Sequence, residues 1–162
     1  MQHKHHIVFL TGAGISQESG ISTFRDANGL WNNHKIEEVA SPEGFEKNPQ
    51  LVLDFYNARR KQLDEVNPNE AHHLIAQLET KYSVTVLTQN IDDLHERAGS
   101  TNVLHLHGEL RKCRSSKNPN LIYDCNQDIK LGDLASDGNQ LRPHIVWFGE
   151  EVTEIENAIA IT

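Results

Sequence analysis

The chain has 162 residues, 37% of them hydrophobic and 23% charged, with 23 acids against 15 lysines and arginines. One globular domain fits that length, and no apolar run approaches the roughly 18 residues that a membrane span needs. A formal net charge of −8 repels a phosphate backbone, so no nucleic-acid partner is expected, because such binding rests on Lys and Arg displacing counterions.

Residues 7–10, Ile-Val-Phe-Leu, form a continuous apolar run of the kind found in strands buried on both faces. The run is too short for a secretory signal and no cleavage pattern follows it, which predicts a cytoplasmic protein. A glycine-rich segment, residues 12–20, and a polar loop to about residue 33 come next. Ser41-Pro42 has the form of a helix start, a hydroxyl cap followed by proline at the first helical position. Pro49 opens a longer helix in which Leu53, Tyr56, Arg60 and Leu63 share one side, with Val52, Phe55 and Arg59 adjacent. Asn67-Pro68-Asn69 ends it and caps a further helix carrying Ala71, Leu74, Ile75 and Leu78; His72 and His73 on that helix read as solvated. Residues 84–87 are a second buried strand, 91–98 a short helix stopped by Gly99, and 103–107 a third strand. Residues 111–141 show no sustained period and many turn formers, and read as an irregular insertion. Residues 144–148 read as a fourth strand, and Val152, Ile155 and Ile159 recur at helical spacing after it.

Strands that alternate with helices, each running into glycine or polar residues, predict a parallel α/β sheet. Ligands of such sheets sit beyond the carboxyl ends of the strands. Here those ends are Thr11-Gly12-Ala13-Gly14, Thr88-Gln89-Asn90, His107-Gly108-Glu109 and Phe148-Gly149-Glu150. The first of them, with Gly12 and Gly14 but Gln17 in place of the third glycine, is a partial dinucleotide fingerprint. By itself it fits a pyrophosphate cradle or a tight strand-to-helix turn equally well.

Residues 12–16 (Gly-Ala-Gly-Ile-Ser), 18–21 (Glu-Ser-Gly-Ile), 23–25 (Thr-Phe-Arg) and 29–31 (Gly-Leu-Trp) together resemble the opening motif of the sirtuins. Residues 88–92 (Thr-Gln-Asn-Ile-Asp), 107–109 (His-Gly-Glu) and 141–150 (Leu-Arg-Pro-His-Ile-Val-Trp-Phe-Gly-Glu) continue the resemblance in family order. It implies a Rossmann-like parallel sheet over residues 1–110 and 142–162, with helices on both faces. A helical cofactor-loop and acyl-pocket insertion falls at about 22–68, and 111–141 stands where the family carries a small zinc module. The implied activity is NAD-dependent removal of acyl groups from lysines of proteins or peptides. Nicotinamide leaves as the acyl oxygen attacks the ribose, and a base then takes a ribose hydroxyl proton.

The resemblance assigns Gly12, Ala13 and Gly14 to the pyrophosphate, Phe24 and Arg25 to a loop covering the nicotinamide ribose, and Gln89 to a ribose contact. Asn90 orders ribose and water, Asp92 holds the nicotinamide amide, and His107 is the general base, a task suited to histidine, which ionises near ~6.5. Ser16, Glu18, Thr23, Trp31 and Ile91 lie in the same cofactor-binding blocks, and Val146, Trp147, Phe148 and Gly149 in the substrate-binding block. His105 is assigned a supporting or packing place behind His107.

Tyr56 and Arg59, at i and i+3 on one helix face, resemble the pair found in sirtuins that remove succinyl and malonyl groups, members of which also remove acetyl. A guanidinium fork and a phenol suit the terminal carboxylate of such acyl groups. Two departures accompany the resemblance. The family's zinc needs two Cys-x-x-Cys pairs, whereas here Cys113 has Ser116 as its expected partner and Cys125 stands alone, so no structural zinc is predicted. The chain also reaches its end at Thr162, about two thirds of the way through the family core; were that the whole protein, an exposed sheet edge and weak NAD binding would be expected. Rival readings are a plain deacetylase, a mono-ADP-ribosyltransferase, a non-catalytic NAD-binding module and an inactive fragment.

Overall fold

In the computed structural model, which describes residues 5–21, 30–31 and 34–162, the three expected buried runs form one parallel sheet. Its strands are β1 (His6–Thr11), β4 (Ser83–Thr88) and β5 (Val103–His105), in the order β1-β4-β5. β1 and β4 pair in register from His6 with Ser83 to Thr11 with Thr88, so both polar ends arrive at one edge. Between β1 and β4 come α1 (Gly14–Gln17), the short antiparallel pair β2 (Leu30–Trp31) and β3 (His34–Lys35), then α2 (Ile36–Val39), α3 (Pro42–Lys47), α4 (Pro49–Glu65) and α5 (Glu70–Leu78).

The helix starts follow their side chains. Ser41 Oγ accepts the Gly44 N–H at 2.9 Å, and Asn48 Oδ1 accepts that of Leu51 at 3.2 Å, with Pro42 and Pro49 each in the first turn where no amide is missed. Asn69 caps α5 by accepting from Ala71 N at 3.0 Å. The wide apolar stripe of α4 is buried on two sides. Val52, Phe55, Tyr56 and Leu63 pack with Val39, Leu110, Ile145 and Trp147, while Leu53 packs with Cys113, Cys125 and Ile129. Burial of each large aliphatic or aromatic group contributes roughly 1.5–3 kcal/mol, so α4 is the beam that ties the two layers together. A third cluster, Ile75, Val84 and Val86, seats α5 on the parallel sheet.

Four expectations are corrected. Residues 144–148 are not a fourth parallel strand: β8 (Leu141–Ile145) pairs antiparallel with β6 (Gly108–Ser115), which pairs in turn with β7 (Ile122–Asp124), giving a second sheet in the order β7-β6-β8. The segment 111–141 is therefore not irregular throughout. Its strands escaped notice because the outward positions of β6 are Arg111, Lys112 and Arg114, whose charges are met by Asp93 and Asp64, Glu109, and Glu150 respectively. The helix after β4 is shorter than expected, α6 (Leu94–Arg97), though Gly99 does stop it, at a φ of 105°. Finally, α5 is rotated relative to its expected face. Leu74 is half exposed and His72 is fully buried, because its Nδ1 accepts the Asn69 N–H at 3.3 Å and completes the cap. The last helix, α7 (Ile155–Ile161), follows the 146–154 loop, and no helix among the described residues is long and apolar enough to cross a membrane.

Candidate active site

A cleft of about 370 Å³ opens where the carboxyl ends of β1 and β4 face the loop after β8. Of the residues expected from the sequence, Ala13, Ser16, Gln89, Asn90, Ile91, Asp92, His107, Tyr56, Arg59, Val146, Trp147, Phe148 and Gly149 all line it. Gly12 and Gly14 belong to the adjoining turn, and an added Cβ would meet nothing closer than Gln89 at 3.9 Å, so that turn stays open to a ligand without being forced by packing. Glu18 is exposed at the end of α1 and is not among the lining residues. Thr23, Phe24 and Arg25 lie outside the described residues, as does the side chain of Trp31. Sequence reasoning missed Ile21, Ala40, Gln62, Leu63, Leu110, Ile145, Glu150 and Val152 in the lining. Leu63 carried a signal, its shared face with Tyr56.

The polar floor is a chain of hydrogen bonds between the two strand ends. Asn90 Nδ2 donates to Ser16 Oγ at 3.0 Å, and Ser16 Oγ donates to Asp92 Oδ2 at 2.9 Å, while Asp92 Oδ1 accepts from Leu94 N at 3.2 Å. Burial raises the Asp92 pKa, against the opposing pull of the Ser16 and Leu94 hydrogen bonds. These contacts leave lone pairs on both carboxylate oxygens for an incoming N–H donor.

Two histidines grip consecutive carbonyls. His107 Nδ1 lies 3.0 Å from Gln89 O, and because a carbonyl only accepts, Nδ1 carries the hydrogen of that contact. His105 sits behind it, with Nδ1 2.8 Å from Asn90 O and Nε2 2.7 Å from Glu96 Oε1. Both of its nitrogens face acceptors, so the ring is held as an imidazolium. Burial opposes that charge, but the Glu96 hydrogen bond and charge prevail and raise the His105 pKa. Gly108 follows at a φ of 82°, where a Cβ would run into the His144 carbonyl. Only glycine lets β6 start that close to β8.

Behind the floor, Thr11 Oγ1 donates to Thr88 Oγ1 at 2.9 Å and therefore accepts from His95 Nε2 at 3.0 Å. The His95 ring meets that of His72 edge-on at 4.8 Å. Burial brings the His95 pKa down to about 4, with the neighbouring His72 pressing the same way, and burial also lowers His72. A neutral pair buried in the fold but free to take protons when unfolded stabilises the native state fully above a pH of ~6.5 and loses that stabilisation as pH falls toward 4. The expected loss across that window is about 3 kcal/mol. Thermal melts between pH 7 and pH 4 should show it, and His95→Gln, which keeps an N–H for Thr11 and cannot titrate there, should flatten the slope. An unchanged slope in that variant would place the acid sensitivity elsewhere.

On the opposite wall, Tyr56 is fully buried and its oxygen accepts the Trp147 indole N–H at 3.0 Å. Burial raises its pKa, keeping the phenol protonated. Arg59 is 4% exposed, donates to Gln62 Oε1 at 3.3 Å and lies over the Phe55 ring at 5.4 Å. Burial lowers its pKa to about 10, so the guanidinium remains charged at neutral pH. Phe148, 61% exposed, stands at the mouth.

The thiols of Cys113 and Cys125 do not line the cleft; both are free and buried in one cluster with Leu53 and Ile129. Among the described residues no cluster of three or more His, Cys, Asp or Glu surrounds a point. Two sulfur ligands leave a tetrahedral zinc half coordinated. Metal analysis of protein purified without added zinc is expected to give far less than one equivalent; stoichiometric zinc that disappears in a Cys113→Ala/Cys125→Ala variant would overturn this.

Comparison with known proteins places these features in a family. Residues 12–161 match the model of the Sir2 family. The chain is 63% identical over 156 residues to an NAD-dependent protein deacylase of Helicobacter pylori, covering 96% of this chain and 67% of that protein. Among solved structures, a Sir2 homologue complexed with ADP-ribose superposes with a TM-score of 0.86 at 41% identity, over 99% of this chain and 66% of that one. A Sir2 homologue complexed with NAD gives 0.83 at 41% identity, over 99% and 64%. The chain thus spans about two thirds of the length of the relatives it matches. On the match along nearly its whole length, this chain belongs to the Sir2 family.

Proposed function

We propose that the protein removes acyl groups from lysine side chains of cytoplasmic proteins in an NAD-dependent reaction, with preference for acyl groups ending in a carboxylate, succinyl and malonyl, over acetyl. The observation that carries this reading is that one cleft holds both the Ser16-Asn90-Asp92-His107 group and the Tyr56-Arg59 pair. The relatives' NAD dependence and complexes with NAD and ADP-ribose support the cofactor. The floor fits it chemically: a buried carboxylate, Asp92, suits a carboxamide N–H, and the open Gly12–Gly14 turn suits a pyrophosphate.

When bound, NAD supplies an electrophilic ribose carbon with nicotinamide as the leaving group. The protein's own groups do the rest. Asp92 orients the carboxamide, and Asn90, fixed through Ser16 and through the His105 contact to its carbonyl, orders the ribose face. His107, its tautomer set by Gln89 O, accepts a hydroxyl proton at Nε2. Arg59 offers a charged fork and Tyr56 a neutral O–H donor to the acyl carboxylate. Within the 146–149 segment the N–H groups of Val146, Trp147 and Phe148 are taken by His107 O, Glu150 and Ala40 O, and Trp147 O accepts the Glu150 N–H, which leaves the Val146 and Phe148 carbonyls for substrate.

A panel of acetyl-, malonyl- and succinyl-lysine peptides, each with and without NAD, tests the reading. Turnover should require NAD, and kcat/KM should be higher for the acidic acyl groups. An equal or higher value for acetyl would remove the acidic-acyl preference, and turnover without NAD would remove the reaction itself.

A further inference from the structure

The strongest unassigned arrangement stands behind the acyl pocket. Arg142 is 5% exposed, and its guanidinium carbon lies 3.2 Å from the centre of the Trp147 indole ring. Glu150 holds that guanidinium with both oxygens, at 2.6 Å from Nη1 and 3.0 Å from Nη2, and also accepts the Trp147 backbone N–H at 2.9 Å. Arg142 Nη2 donates further to Ile145 O at 2.9 Å, and Arg114 reaches the same carboxylate at 3.1 Å. The indole is therefore fixed on its face by a cation and at its backbone by that cation's counter-ion. Its one polar atom, Nε1, then has a single direction, and along it lies the Tyr56 oxygen at 3.0 Å. An indole N–H on the acceptor side of a phenol oxygen sets where the phenol's own O–H points.

We propose that Arg142, together with Glu150, is a positioning residue for acyl selectivity: it clamps Trp147, which aims the Tyr56 hydroxyl at the acyl carboxylate. The proposal rests on the acidic-acyl reading above. It explains why a guanidinium is used where packing alone would take an aliphatic side chain. A planar cation stacks on an indole while its edge remains available for a bidentate carboxylate, which neither Lys nor Met offers. Selectivity depends on Arg142 although it touches no acyl group, because an O–H that points wrongly loses its hydrogen bond to the succinyl carboxylate, while an acetyl group never made one.

The test uses Arg142→Met. Its succinyl-to-acetyl ratio of kcat/KM should fall about tenfold, the value of one hydrogen bond, mainly through a higher KM for succinyl peptide. In a Tyr56→Phe background the same substitution should lower the ratio no further, because both changes remove one contact. Amide-type exchange of the Trp147 indole N–H, identified by NMR as the signal missing from Trp147→Phe, should speed up at least tenfold in Arg142→Met. Additive loss in the double variant, or equal loss on both peptides with unchanged indole exchange, would overturn the proposal. If Arg142→Met does not fold, Arg142→Lys, which keeps a charge for Glu150 without the planar stack, serves with the same readouts. Should the unaltered protein show no preference for succinyl, the acyl reading fails, and indole exchange alone then decides the clamp: unchanged exchange overturns it.

Discussion

His107→Ala is expected to lower kcat/KM for lysine deacylation by on the order of 10² to 10⁴, the contribution of a positioned general base, while melting temperature and NAD binding change little. The expectation rests on how little else the ring does. Among the described residues its ring makes one hydrogen bond, from Nδ1 to Gln89 O, at the half-exposed edge of the cleft, so removing it deletes a proton acceptor without opening the core. His105 cannot take over. Its two nitrogens are committed to Asn90 O and Glu96, and its ring is held protonated. A purified His107→Ala protein that turns over like the unaltered one would remove His107 from the chemistry.

The second large effect is on acyl choice. Arg59→Met keeps length and removes the fork, and is expected to depress desuccinylation by about two decades, since a charge-assisted contact to a desolvated partner is worth a few kcal/mol. Deacetylation should fall far less, because an acetyl group has no charge for Arg59 to meet. Tyr56→Phe should bias the protein the same way but more weakly, one neutral hydrogen bond being lost. Steady-state kinetics on paired succinyl and acetyl peptides decides it. Equal losses on the two peptides would make the pair structural, and the buried positions of Tyr56 and Arg59, 0% and 4% exposed, show why that alternative has to be measured.

Much of the site was legible because glycine and polar residues gather where apolar strands stop, and in the structure Thr11, Thr88 and Gln89 do meet at one edge, although β1, with Leu10 exposed, is less buried than its apolar run suggested. The caps at Ser41 and Asn69 were legible for a similar reason: a short polar side chain has few other places to be just before an amphipathic run. The second sheet was not. β6 buries Leu110 and Cys113 but skips register between Glu109 and Cys113, so no clean period of two survives. β8 contains Pro143 and flows without a polar break into 146–148, so it read as one longer parallel strand. His72 and His95 were misjudged or missed because a buried histidine looks like a solvated one until its partner, 23 residues away in sequence, is known. The Arg142-Glu150 clamp gave no local signal either, since an ion pair eight residues apart across a loop has no periodic signature.

The most direct measurement is product stoichiometry. Mass spectrometry of a reaction containing the purified protein, NAD and a succinyl-lysine peptide should find free-lysine peptide, nicotinamide and O-succinyl-ADP-ribose rising together in equal amounts. Free succinate and peptide formed without NAD consumption, or nicotinamide released while the peptide stays acylated, would contradict the account.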